Sequence, residues 1–522
     1  MSEGLDKGVD RREFLKVVGA GSAAVSVPVW AASCAPKGGV VTGGRGAPRG
    51  AHTTYFDRFG VDQGLIRRAL AKGLSRGGDF SEVYLQHKVS HWVGLEDGEV
   101  NRAYSTVALG AGIRVLKGDS TGYAYCEDLS ERALLATAAT AAAVADSTPR
   151  VRPKPLAAVP VNNGYAVEVP WTEVGIDKKV PLIKRAEGLV RARDKRIVKV
   201  TIFLTDETSR ILVANSMGRL VEDHQPMAVL SVRCVGEHKG KTESSGQSVS
   251  AMDGLAFFSD AVLRRVAHEA ADYTTLLFDA KSPPAGTLPV VLAPGVTGIL
   301  LHEAIGHGME ADFNRKGTSI FANRIGKRIA PKGVTILDDG TNPRLRGSIN
   351  IDDEGLEAQK TVLVEDGLLR SYMHDRISAG HYKLGGTGSG RRQSFRFPPV
   401  PRMRNTYMLN GKYRPEELIK SVKKGLYAEM FSNGQVNIGA GDFTFYLKHG
   451  RMIENGKLTH VVKDANLIGN GPKVLETVDM VANDMELYSG AGYCGKDGQR
   501  IPVGFGLPTV RCGAISIGGR KA

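Results

Sequence analysis

An apolar run beginning near Val296 ends in His302-Glu303-Ala304-Ile305-Gly306-His307, which sets two imidazoles and a carboxylate within about one and a half helical turns. Imidazole nitrogens ligate transition metals, and a glutamate beside such a site can take a proton from water. The common zinc-peptidase helix spaces its histidines four apart, on one face. Here the spacing is five. At roughly 100° per residue, five steps turn the second side chain about 140° from the first, too far to share one ion on a regular α-helix. A π-turn closes five residues instead of four, and such turns occur mostly at functional sites. Gly306 lowers the steric cost of that distortion. The spacing therefore predicts an irregular turn over residues 302–307. By contrast, His268-Glu269-Ala270-Ala271-Asp272 has no second histidine and reads as the solvated face of a helix.

The elements that must position this motif follow from patterning. Helices are expected at Gln63–Arg76, Ser130–Ala145, Lys179–Arg193 and Asp260–Phe278. Strand-like runs lie at Phe80–His87, Trp92–Glu96, Ala111–Leu116, Lys199–Leu204, Ser209–Ala214 and Met227–Val235. Thr148–Pro160 reads as a proline-rich connector, and Lys281-Ser282-Pro283-Pro284-Ala285-Gly286 as the clearest linker. Leu288–Ala293 is a buried strand feeding the motif. Short strands and glycine turns follow: Val334–Leu337, Lys360–Glu365, Gln435–Ile438, Asp442–Leu447, Arg451–Ile453 and Leu458–His460. The expectation is an α+β protein of two domains: helices on a mixed or antiparallel sheet over 51–280, and a largely antiparallel, barrel-like domain over 285–522 that carries the motif helix. Residues 1–50 stand apart as a leader and tether.

The sequence around the motif, Leu300-Leu301-His302-Glu303-Ala304-Ile305-Gly306-His307-Gly308-Met309-Glu310-Ala311-Asp312-Phe313-Asn314-Arg315, closely resembles the signature of the TldD/PmbA family, named for a supposed modulation of DNA gyrase. Further blocks resemble it at Pro398-Pro399-Val400-Pro401-Arg402-Met403-Arg404-Asn405-Thr406-Tyr407, Gly441-Asp442-Phe443, Ile453-Glu454-Asn455-Gly456-Lys457 and Cys494-Gly495-Lys496-Asp497-Gly498-Gln499. The likeness covers most of residues 60–520. With its motif intact, the chain resembles the TldD branch, which carries the metal site, and not PmbA/TldE. That resemblance implies a zinc-dependent peptidase with His302, His307 and Cys494 as ligands and Glu303 as base. It also implies a dimer, either of like chains or with a PmbA/TldE-like chain. Zinc suits a Cys/His₂ set with an open fourth position, and Fe²⁺ is compatible with the imidazoles. Glu310, Asp312, His374 and His381 are the other candidates for third ligand.

Five cysteines, Cys34, Cys126, Cys234, Cys494 and Cys512, leave a second reading open. In an exported protein Cys494–Cys512 could be a disulfide. Export is suggested by Asp10-Arg11-Arg12-Glu13-Phe14-Leu15-Lys16 and the modest apolar run Val17 to Ala32, which resemble a twin-arginine signal and are too short to span a membrane. The expected location is the periplasm, although TldD proteins are mostly cytoplasmic. Ala31-Ala32-Ser33-Cys34 also admits a lipid anchor at Cys34. The glycine-rich, basic stretch from Lys37 to about Ala51 reads as a tether.

The net charge of +14 and pI near 9.4 invite a nucleic-acid partner. None is expected, because the basic residues are spread along the chain and no nucleic-acid-binding signature accompanies them. Gly385-Gly386-Thr387-Gly388-Ser389-Gly390 lacks the ending of a phosphate-binding loop and reads as a mobile loop, which in a peptidase could act as a lid or face the substrate. Arg391, Arg392, Arg396, Arg402 and Arg404 could grip a peptide carboxylate or form a solvated surface. Two functions remain: a metallopeptidase acting on unfolded peptides or flexible segments, and a non-catalytic regulatory subunit with a structural metal. Glu303 speaks against the second, since a structural site needs no base and usually fills four protein positions.

Overall fold

The structure, a computed structural model, describes residues 53–518. The leader, the tether and Cys34 lie outside the described residues. The N-terminal half is built on long antiparallel strands: β1 (Phe80–Glu96), β2 (Glu99–Lys117), β3 (Ser120–Cys126), β4 (Ile197–Asn215), β5 (Arg219–His238) and β6 (Lys241–Ala251), in the spatial order β3-β2-β1-β4-β5-β6. A two-residue strand, Ala157–Ala158, adds to β5 in parallel.

Successive side chains of a strand point to opposite faces, and both faces of this sheet are occupied. Val83, Leu85, Val93 and Leu95 of β1 and Ile202, Leu204, Leu212 and Ala214 of β4 pack beneath helices α1 (Gln63–Gly73), α2 (Glu131–Ala142), α3 (Ile176–Arg193) and α4 (Asp260–Leu276). The alternate residues, including Tyr84, Gln86 and Ser209, face the C-terminal half. The predicted strand pairs 80–87/92–96 and 199–204/209–214 are thus one continuous strand each.

The C-terminal half closes a five-stranded barrel from β7 (Gly286–Leu292), β10 (Lys424–Val436), β11 (Asp442–Glu454), β12 (Ala465–Asn470) and β16 (Val510–Gly518). The order β10-β7-β16-β12-β11 returns to β10. Every pairing is antiparallel except β7 with β10. A smaller sheet includes β8 (Ile336–Asp339), β9 (Asn405–Met408) and β15 (Gly504–Leu507), and a hairpin is formed by β13 (Tyr493–Lys496) and β14 (Gln499–Pro502). The fold is α+β with few helices. Among the described residues no helix is long and apolar enough to cross a membrane.

Candidate metal centre

From β7 the chain turns through Gly295–Gly298 and Ile299–Leu301 into a π-helical turn, His302–Gly306. The N–H of His307 donates to the carbonyl of His302, the five-residue closure that the spacing predicts. Two glycines allow the segment to sit where it does. A Cβ on Gly298 would lie 2.8 Å from the backbone of Gly506 in β15, and one on Gly306 would lie 2.1 Å from Sδ of Met403.

The turn brings both histidines to Cys494 on β13, with all three donor groups within 4.8 Å of one another. Cys494 Sγ is 3.4 Å from His307 Nε2, and the two imidazole rings are 5.2 Å apart. The three residues are 1–4 % exposed. His307 Nδ1 is hydrogen-bonded to Glu310 Oε2 at 2.9 Å, which turns Nε2 toward the cluster. Both ring nitrogens of His302 are buried, with no hydrogen-bond partner outside the cluster. A buried imidazole left so costs about 1–3 kcal/mol, and a cation offers the missing interaction. Two imidazoles and a thiol, one with no other partner, fit a transition-metal ion such as zinc.

Glu303 differs from the three donors. Its side chain is 18 % exposed, and its Oε2 lies 3.7 Å from His307 Nε2. It therefore stands at the cluster with access to solvent.

A layer of buried charge supports the donors. Glu310 also meets Lys496 Nζ at 3.2 Å, and Lys496 reaches Asp312 at 2.7 Å. Arg402, fully buried, donates from Nη2 to the carbonyl of Cys494 at 2.6 Å. Burial alone would raise the Glu310 carboxyl, but Lys496, His307 and Arg402 outweigh it and hold the group at about 2. Burial likewise opposes the charged forms of Cys494 and His307. The imidazoles nevertheless draw the thiol well below its ordinary value, and Glu310 and Cys494 raise His307 well above its own. Cys494 is thus poised as thiolate, the form that binds metal.

The remaining ligand candidates serve elsewhere. Glu310 orients His307, Asp312 holds Lys496, His374 lies against Tyr372 and Tyr382, and His381, on the helix Arg376–Tyr382, lies against Tyr382. Cys126, Cys234, Cys494 and Cys512 are all free thiols, so the disulfide reading fails. Cys512 is instead a core residue of β16, its thiol pushed up to about 12 by burial. The arginine stretch is not a solvated surface. Arg404 pairs with Asp338 at 2.6 Å and Arg392 with Glu82 at 2.6 Å, while Arg391 and Arg402 are also buried. Arg396 alone of the five reaches toward solvent, paired with Glu127. The supporting roles of Lys496 and Arg402 were not legible, since no spacing links them to the motif.

Three family models describe the same chain. They are the PmbA/TldA metallopeptidase domain 1 over residues 81–145, its central domain over 169–278 and its C-terminal domain over 285–519. A metalloprotease TldD homolog of Buchnera aphidicola (subsp. Acyrthosiphon pisum) is 39% identical over 459 residues, covering 86% of this chain and 95% of that protein. The Haemophilus influenzae TldD homolog is 39% identical over 449 residues, covering 84% and 93%. In fold, the chain is similar to a Thermotoga maritima protein described as a putative modulator of a DNA gyrase, with a TM-score of 0.71 at 20% identity over 87% of this chain and 99% of that one. TldE from Thermococcus kodakarensis gives a TM-score of 0.67 at 17% identity, covering 87% and 100%. Sequence and fold together place the chain in the PmbA/TldD family of metallopeptidases.

Proposed function

We propose that the protein is a zinc-dependent peptidase acting on unfolded peptides or flexible protein segments, with His302, His307 and Cys494 as ligands and Glu303 as general base. The observation that carries this reading is the pairing of three converging buried donors with one partly exposed carboxylate. A divalent ion held by His302, His307 and Cys494 would supply Lewis acidity to a peptide carbonyl and to an attacking water. Glu303 then takes the water proton and returns it to the leaving amine. Glu310 fixes the His307 ring through Nδ1, and Arg402 anchors the backbone of Cys494. Zinc is favoured by the Cys/His₂ set, and Fe²⁺ is the alternative.

Assembly as a dimer, with a like chain or a PmbA/TldE-like chain, belongs to the same proposal and is supported by the family. Export to the periplasm through the twin-arginine-type leader is proposed from the sequence of residues 10–34 alone, as is a lipid anchor at Cys34 as one outcome of processing. Glu303→Ala tests the catalytic core. Bound metal should persist while peptide cleavage disappears; cleavage at the original rate would reject the assigned base. Metal retained by Cys494→Ser at full affinity would reject the ligand set.

A further inference from the structure

A cavity of about 480 Å³ lies between the N-terminal sheet and the hairpin β13–β14. Tyr493 pairs with Pro502, Cys494 with Ile501 and Gly495 with Arg500, so alternate residues face opposite ways. Cys494 turns to the metal cluster, whereas Tyr493, Arg500 and Pro502 line the cavity. The opposite wall is the sheet face that α1–α4 leave uncovered.

Two buried arginines line this cavity without a carboxylate partner. Arg346, 4 % exposed, donates from Nε to the carbonyl of Gly492 at 2.9 Å and from Nη1 to Met227 Sδ at 3.2 Å. Arg391, 5 % exposed, donates from Nη1 to the carbonyl of Met403 at 2.8 Å. Arg114, Arg392 and Arg404, equally buried, each have a carboxylate within 2.9 Å. The cavity's acidic side chains are committed: Asp206 to Lys179 and His91, Glu207 to Lys88, Asp352 and Asp353 to backbone N–H groups. Burial draws the Arg391 guanidinium down to about 10 despite the opposing charge of Asp353. At the mouth, Arg346 and exposed Arg500 stack on Tyr493 at 4.3 and 3.9 Å.

Buried charges are ordinarily paired, and an arginine fork matches a carboxylate in two hydrogen bonds. The metal donors themselves do not line the cavity, but residues that adjoin both connect the two. Met403, whose carbonyl holds Arg391, packs its sulfur against Gly306, and the Cys494 hairpin forms one wall. We propose that this cavity is a carboxylate subsite of the peptidase, with Arg391 and Arg346 as anchors for a peptide's C-terminal carboxylate or acidic side chain. The proposal rests on the peptidase reading.

The test measures binding, using zinc-loaded full-length Glu303→Gln protein and three fluorescent peptides of one neutral sequence: free C-terminal acid, C-terminal amide, and amide with one internal Glu. One or both carboxylate probes should bind about tenfold to a hundredfold tighter than the neutral amide, the worth of a charge-assisted hydrogen bond. Which probe gains distinguishes the C-terminus from a side chain. Adding Arg391→Gln or Arg346→Gln should abolish the advantage. Arg500→Gln, at the exposed mouth, should weaken it even if the buried substitutions impair folding. Equal binding of all three probes overturns the proposal, as does an advantage that survives the arginine substitutions and so belongs to the metal. Failure of the peptidase reading would appear separately, as absence of cleavage by the unsubstituted chain.

Discussion

Glu310→Gln separates the geometry of the metal centre from the stability of its surroundings. The side chain is fully buried, accepts from His307 Nδ1 at 2.9 Å, meets Lys496 at 3.2 Å and lies 3.9 Å from Arg402. The buried set therefore holds two cations, Lys496 and Arg402, against two anions, Glu310 and Asp312. Glutamine keeps the shape but removes one negative charge, leaving a buried cation uncompensated at a cost of about 3–5 kcal/mol. It also replaces a charged acceptor on the His307 ring by a neutral amide that can turn its NH₂ inward. Loss of such an outer partner typically lowers metal affinity 10–100-fold, or roughly 1.4–2.7 kcal/mol. Asp312→Asn is the control, because it takes a similar charge from Lys496 without touching His307. Zinc affinity by competition with a chromophoric chelator and unfolding of the metal-free protein in urea are the assays. Both variants should lose stability, and Glu310→Gln alone should lose the full 10–100-fold in affinity. Equal affinity losses in the two, or none in Glu310→Gln, would refute the orienting role.

Three further outcomes are expected. Gly306→Ala places a methyl 2.1 Å from Met403 Sδ, so it should cost about 1–3 kcal/mol by overpacking and weaken zinc binding; truncating Met403 to Ala in the same chain should recover part of the affinity, and no recovery would mean that the clash is not the cause. Arg404→Met strands Asp338, which accepts from Arg404 Nε and from the backbone N–H and Thr406 hydroxyl around it, and should lose about 3–5 kcal/mol in urea unfolding, a loss below 1 kcal/mol counting against the pairing. Burial holds His374 and His449 at about 4, below the ordinary 6.5, so only the unfolded chain takes up their protons between those values. Their contribution is complete above pH 6.5 and is lost as pH falls toward 4, by up to roughly 3 kcal/mol each. His449→Phe should flatten the urea midpoint between pH 6.5 and 4.5 relative to the parent, and an unchanged slope would contradict the assignment.

What the sequence could and could not reveal follows from the range over which each feature is determined. The π-turn is local: five residues between histidines and a glycine before the second suffice to call for it, and the closure from His307 to His302 answers that demand. The sequence predicts two pieces for strand β1 because its middle, Lys88 to His91, is polar at three of four positions. Those residues are strand nonetheless, since their outward neighbours are a polar cavity and a buried Asp206 instead of a hydrophobic core. Alternation of apolar and polar residues marks a strand only when one face meets a core. The same reason hides β4, whose centre carries Asp206.

Long-range pairing explains the other gaps. Cys494 stands 187 residues from His307, so only family likeness pointed to it. The five arginines between 391 and 404 look like surface because their partners are remote: Asp338 is 66 residues from Arg404, and Glu82 is 310 residues from Arg392. Glu82 and Glu354 both hold Arg114, so one buried charge network ties β1 and β2 to the segments that carry Glu354 and Arg392. A chain that supplies distant carboxylates to Arg114, Arg392 and Arg404 has the means to neutralise buried cations. That Arg391 and Arg346 receive none, while both border the cavity behind Cys494, is the contrast that marks them as receptors for a charge brought by another molecule.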